Sequence, residues 1–145
     1  MGESTAGFRK LILWQKAQDL AAQVMIELGQ IKGRGDVNLV RAQLVRSAGS
    51  IAANIAEGYG RFSPGAYRNH LSIARGSLFE TESWIDLLSR NGHLSDEVSG
   101  HQKRQCSEVG RMLTASMREL GRNGKGAIRE EGAEYLIDDS DALVD

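Results

Sequence analysis

Arginine recurs at heptad spacing in two stretches of the chain. Arg104, Arg111, Arg118 and Arg122 follow at intervals of seven, seven and four, with Lys125 just beyond, while Arg61, Arg68 and Arg75 repeat every seven residues. On a helix this spacing places the side chains along one face. Such a row can neutralise phosphates spaced along a nucleic-acid backbone, each contact adding affinity that falls with salt. A second reading is equally physical, because residues flanking a helical seam form ion pairs with the next helix. Glu80, Glu82 and Asp86 are available as partners. Aromatic residues interleaved with the bases, which single-strand binders use for stacking, are lacking.

A different chemistry is suggested by Ser47, Ser50, Asn54 and Glu57, spaced three, four and three. The spacing predicts one stripe, roughly opposite the apolar arc of the same helix. Ala48, Gly49, Ala52, Ala53 and Ala56 stand among them. A solvated face would normally carry Lys, Arg or Glu, and a glycine inside a helix costs on the order of 1 kcal/mol, so something packs closely there. A helix contact within one bundle and a contact between subunits are both consistent with that composition. Catalysis finds less support. His70, His93 and His101 are too scattered for a metal-binding pair on one face, no Glu-x-x-His motif is present, and the serines have no histidine in register. Cys106 falls in an apolar seam, where a thiol is usually inert packing. Neither a cofactor nor a metal is expected.

These residues must be positioned by a single domain, since 145 residues leave no room for a second. Apolar residues make up 41% and charged residues 26%, with one proline, a balance suited to a helical protein. One cysteine excludes an internal disulfide and a thiolate zinc site. With no apolar leader and no long apolar run, the expected location is the cytoplasm, away from any membrane. The net charge of −1 conceals an asymmetry: residues 1–129 carry +6, and Glu130 to Asp145 hold seven acids and no base. An acidic tail of this kind could lie over the basic surface as a phosphate mimic.

The apolar periodicity predicts four long helices. The first runs from Phe8 through Leu11, Ile12, Ala17, Ala21, Val24, Met25, Leu28 and Ile31. The second starts at Asp36 as N-cap and carries Val37, Val40, Leu44, Ala48, Ile51, Ala52, Ile55 and Tyr59. Ser63 and Pro64 open the third, whose seam of Tyr67, Leu71, Ala74, Leu78, Thr81, Ile85 and Leu88 is a sustained heptad pattern. Asn91 and Gly92 end it. Ser95 caps the fourth, which bears Val98, Cys106, Val109, Leu113, Met117 and Leu120 and closes at Gly121. The first, third and fourth are each expected to span about 25 residues, close to 40 Å. The organisation is thus a flexible N-terminus over 1–7, an all-α, up-down-up-down antiparallel four-helix bundle over 8–121, and a glycine-containing hinge with acidic tail over 122–145.

Several strings together resemble a known family. Leu13-Trp14-Gln15-Lys16-Ala17, Gln43-Leu44-Val45-Arg46-Ser47, Ser50-Ile51-Ala52-Ala53-Asn54-Ile55-Ala56-Glu57-Gly58-Tyr59-Gly60-Arg61 and Ile73-Ala74-Arg75-Gly76-Ser77 with Glu80-Thr81-Glu82 stand in the order seen in bacterial four-helix-bundle proteins encoded in 23S rRNA intervening sequences. The resemblance implies a non-enzymatic protomer that assembles as a homopentameric barrel. It also implies structural roles, at a helix or subunit junction, for Trp14, Arg46, Ser50, Asn54, Glu57, Gly58, Gly76 and Glu80, with Gly76 permitting close approach. The accessory variability protein of diversity-generating retroelements is a distant structural relative of that family. It binds nucleic acid and a reverse transcriptase through a basic surface, which makes such an enzyme a candidate partner here by analogy of fold. The expected function is a non-catalytic oligomeric bundle binding structured RNA or DNA, or a nucleic-acid enzyme, through Arg104, Arg111, Arg118, Arg122, Lys125, Arg68 and Arg75. The alternative is a purely structural or adaptor pentamer whose arginines pair with neighbouring acids.

Overall fold

The computed structural model describes the backbone over residues 7–131 and side chains through Arg122. Residues 1–6 and the tail from 132 onward, including any masking role for the tail, lie outside the described residues. The chain folds as a 3-10 turn, Gly7–Lys10, followed by four helices: α1 (Ile12–Leu28), α2 (Gly35–Tyr59), α3 (Pro64–Arg90) and α4 (Asp96–Glu131). Short connections make sequence neighbours antiparallel. Each helix packs on its chain neighbours and α4 closes the ring against α1, so the architecture is the antiparallel four-helix bundle that the periodicity predicts.

The third helix follows its pattern most closely. Leu71, Ala74, Leu78, Thr81, Ile85 and Leu88 are buried along one seam. Ser63 Oγ accepts the Ala66 N–H at 3.1 Å, capping the helix start ahead of Pro64. At the other end the His93 N–H bonds to Leu88 O at 2.9 Å and the Gly92 N–H to Ser89 O at 3.0 Å. This Schellman pair needs a left-handed residue between helix and loop, and Gly92 supplies it at φ +75°. Ser95 likewise caps α4, accepting the Val98 N–H at 3.2 Å.

Three boundaries differ from the pattern. Helix α1 has 17 residues rather than about 25, because the chain is extended at Leu11 (φ −70°, ψ 120°) and Gln15 donates to the carbonyl of Arg9 across the break. The break resets the helical phase. Leu13, Ala17, Leu20, Val24 and Leu28 form the buried seam, while Ile12 and Met25 point outward. Asp36 is not an N-cap: Arg34 holds that position without a side-chain bond, and Asp36 Oδ1 accepts the next N–H, of Val37, within the first turn. Helix α4 continues through Gly121 to Glu131, where a closure and a hinge are expected. Glycine lowers helix stability without forbidding the conformation, and Gly121 itself is buried.

The tightest contact in the bundle lies where α2 meets α3. A Cβ built on Gly58 would sit 2.5 Å from His70 Cβ and 2.9 Å from Tyr67 Cδ2, so only hydrogen fits there. Gly58→Ala should therefore lower unfolding free energy by about 1–3 kcal/mol through overpacking. Urea denaturation followed by circular dichroism measures it, and an unchanged midpoint would contradict the close approach.

Candidate functional site

The polar stripe of α2 does not face away from the core. Ser47 is fully buried at the α2–α3 seam, beside Leu44, Ala48 and Ile51. It donates to Leu44 O at 3.1 Å and lies 3.0 Å from Thr81 Oγ1 on α3. One turn on, Ser50 and Ser77 hydroxyls meet at 3.0 Å. Asn54 Nδ2 donates back to the Ser50 carbonyl at 2.8 Å and its Oδ1 stands 3.4 Å from His70 Nδ1. Glu57 continues the line, 4.0 Å from that same His70 nitrogen and 2.8 Å from Arg61. The stripe is thus a ladder of hydrogen bonds inside one chain, each worth about 0.5–1.5 kcal/mol net. Sequence reasoning placed Thr81 in an apolar seam and His70 among scattered surface histidines. Both belong to this ladder.

The other junction residues divide between inner and outer surfaces. Arg46 donates to Glu80 at 2.6 Å, an exposed bridge between α2 and α3, and Trp14 packs edge-on against Phe8 at 5.2 Å. Gly58 is the close-approach glycine described above. At Gly76, as at Gly49, a Cβ would meet nothing within 4 Å in this protomer. Gly76 lies on the outer face of α3 with Ile73 and Leu87, exposed at 46% and 39%.

The basic rows meet on the opposite flank of α3. Arg75, Arg111 and Arg118 line a single groove of about 610 Å³ between α3 and α4, with Leu78, Phe79, Cys106 and Gly110 among its walls. Their convergence follows from two burial patterns. Leu78 and Ile85 turn inward on α3, and Cys106, Val109, Leu113 and Met117 do so on α4, which leaves the arginines at the rims. A Cβ on Gly110 would lie 3.3 Å from Leu78 Cδ2, so the helices run close beneath the groove. Glu82 is the acid at this groove, and burial, then the charge of Asp86, raises its carboxyl above the ordinary range while Lys103 opposes the shift.

Not every arginine in the rows reaches it. Arg68 is half-buried and donates through Nε to the Met117 carbonyl at 3.1 Å, tying α3 to α4. That bond uses one of the five guanidinium N–H donors and orients the side chain at the α3–α4 interface. Arg104 is exposed and folds along α4 beside Gly100, and Arg122 is exposed further along the helix. The Lys125 side chain lies outside the described residues. Two acids proposed as internal partners are engaged elsewhere, Glu80 by Arg46 and Asp86 by Lys103. The groove also holds an aromatic that the sequence pattern missed: Phe79 is 46% exposed with the Arg75 guanidinium 4.9 Å from its ring centroid. The signal was the pair at i and i+4, one helical turn apart.

Among the described residues no group of three or more His, Cys, Asp and Glu is placed to hold a metal ion, and no helix is long and apolar enough to cross a membrane. The family model described as 23S rRNA-intervening sequence protein matches residues 9–115. The chain belongs to this family. Among solved structures it is similar to a protein of unknown function from the S23 ribosomal protein family of Bacteroides thetaiotaomicron, crystallised at 1.70 Å. The two share 24% identity with a TM-score of 0.66, over 73% of this chain and 98% of that one, a likeness of fold. No curated protein matches the chain. For this intervening-sequence family member, the matched region takes in the α2–α3 ladder and both Arg75 and Arg111, and ends before Arg118.

Cys106 sits fully buried beneath the groove, and burial together with the nearby Glu82 charge pushes its thiol up to about 12. A thiol so held is almost entirely protonated at neutral pH and cannot act as a nucleophile. Iodoacetamide at pH 8 should modify native Cys106 at least ~1000-fold more slowly than the urea-unfolded chain, whose thiol has an ordinary value near 8.5. Mass spectrometry of the time course reads the ratio, and comparable rates would show the thiol to be accessible.

Proposed function

We propose that this protein is a non-catalytic nucleic-acid-binding bundle of the cytoplasm, engaging phosphates through the α3–α4 groove. The observation that carries the reading is the convergence of Arg75, Arg111 and Arg118 on one groove from two separate rows. The residues through position 129 carry a net +6, a local positive charge favourable to a polyanion, while the seven acids of residues 130–145 bring the whole chain to −1. The hydroxyls of the α2–α3 ladder are spent on one another, and the buried thiol is held neutral, which supports binding over chemistry.

The test is fluorescence anisotropy of a structured RNA across 50–200 mM salt, with helicity checked by circular dichroism. The double variant Arg111→Glu, Arg118→Glu should bind at least tenfold more weakly and show a log–log salt slope shallower by about two, near one per lost phosphate contact. Unchanged affinity and slope in a folded variant would overturn the reading.

Self-assembly is a second and compatible part of the proposal, in a pentamer as the family resemblance implies. It is supported by the outer face of α3, where Ile73 and Leu87 are exposed beside the open Gly76 position. Light scattering should give a mass that is a multiple of 15.8 kDa, and Ile73→Glu with Leu87→Glu should return it to the protomer mass with helicity retained. A wild-type mass of one protomer at 100 μM would rule the assembly out.

A further inference from the structure

The groove between α3 and α4 has a composition that phosphate binding alone does not require. Beside its arginines it holds Phe79, a phenyl ring with 46% of its surface in water even though the Arg75 guanidinium lies across it at 4.9 Å from the centroid. Leu78 and Cys106 floor the same space, and Gly110, Thr114 and Ala115 leave it without bulky walls on the α4 side. A half-exposed aromatic among guanidinium groups keeps apolar surface in water. It gains by offering a π-face flanked by positive charge.

A duplex keeps the faces of its bases stacked within the helix, so it has no base face to offer Phe79. An unpaired nucleotide presents a flat base and a phosphate a few ångströms apart. An open groove of about 610 Å³ is of a size to seat a ligand of that class against one wall. We propose that the α3–α4 groove takes an unpaired nucleotide, its base stacked against Phe79 and its flanking phosphates held by Arg75, Arg111 and Arg118. The ligand is then single-stranded or looped nucleic acid rather than continuous duplex. This assignment rests on the nucleic-acid reading above and narrows it. The sequence pattern pointed the other way, since aromatics interleaved with the basic rows were lacking, but folding delivers one from the partner side of the seam.

Base stacking on an aromatic is tolerant of sequence and is lost when the ring is removed, whereas phosphate contacts set the salt dependence. The two are separable by experiment on the full chain. The probes are a fluorescein-labelled 12-nucleotide oligoadenylate RNA, a 12-base-pair RNA duplex, and the single strand carrying 2-aminopurine. At 100 mM salt the single strand should bind at least tenfold more tightly than the duplex. Phe79→Leu keeps an apolar side chain of similar bulk and removes the π-face. It should weaken single-strand binding about fivefold or more, leave the salt slope and the duplex affinity unchanged, and reduce the 2-aminopurine quenching seen with wild type. Phe79→Tyr should restore both the single-strand affinity and the quenching. A duplex bound as tightly as the single strand, or a folded Phe79→Leu variant with wild-type single-strand affinity and quenching, would overturn the unpaired-nucleotide assignment while leaving nucleic-acid binding intact. Failure of the wild-type chain to bind either probe or the structured RNA at 50 mM salt would overturn both.

Discussion

The register of α2 against α3 governs the rest of the molecule. It is set by small polar groups rather than by bulk: Ser47 against Thr81, Ser50 against Ser77, and Gly58 against the backbone and side chains of Tyr67 and His70. Hydroxyls and a bare Cα let two helices approach more closely than leucines would, and hydrogen bonds between them accept only a narrow range of slide and rotation. An apolar contact of the same area would be as stabilising but would tolerate neighbouring registers. Once α3 is locked in rotation, its remaining faces are assigned. Leu71, Leu78 and Ile85 enter the core, Arg75, Phe79 and Glu82 turn toward α4, and Ile73, Gly76 and Leu87 face outward.

Helix α4 is then positioned by complementary means. Its seam of Cys106, Val109, Leu113 and Met117 is apolar and could slide, but specific contacts pin it, among them the Lys103–Asp86 pair and two beside the groove. Gly110 admits Leu78 closely, and Arg68 reaches across to the Met117 carbonyl. An arginine used in this way ties α4 to α3 in a fixed register, and so fixes where Arg111 and Arg118 stand. The acids are engaged as well. Glu80 and Asp86 neutralise Arg46 and Lys103 at the surface, where exposed pairs contribute at most about 1 kcal/mol. Their larger effect is electrostatic, because they leave the groove with three guanidinium groups around the single partly buried carboxyl of Glu82.

Much of the fold was legible because it follows from apolar spacing. The α3 seam could be read residue by residue, and Ser63, Ser95 and Gly92 mark helix ends through bonds or backbone angles that few other residues supply. The errors arose where the code is degenerate. Leu11 to Trp14 are four apolar residues in succession, so no periodicity ranks them, and the true phase is set one turn later by Ala17, with Leu13 four residues before it. Ser47 was read onto a closely packed stripe opposite the apolar arc because serine is equally at home in water, although it stands three after Leu44 and four before Ile51, a seam position. Arginine is more degenerate still. Spacing alone does not distinguish Arg68, bonded to a carbonyl on another helix, from Arg111, and nothing along α4 announces that Phe79 will lie beside its arginines.

The division of α3 into four faces also decides whether binding and assembly can coexist. Ile73 and Leu87 differ by fourteen residues, four helical turns, and so lie on one stripe, while Arg75 and Phe79 sit on a stripe well over 60° around the helix from it. A surface that joins copies through the first stripe leaves the second free, so the two roles do not compete for side chains. Assembly would in fact strengthen weak binding, since each protomer repeats the groove and a long strand held at one site is presented to the next at high effective concentration. A modest groove with a single aromatic and three arginines is a poor high-affinity site in isolation, and repetition is the physical means by which such a site becomes effective on a polymer. The hydroxyl ladder is what makes that repetition useful, because only a rigidly fixed α3 presents both stripes at a constant angle in every copy.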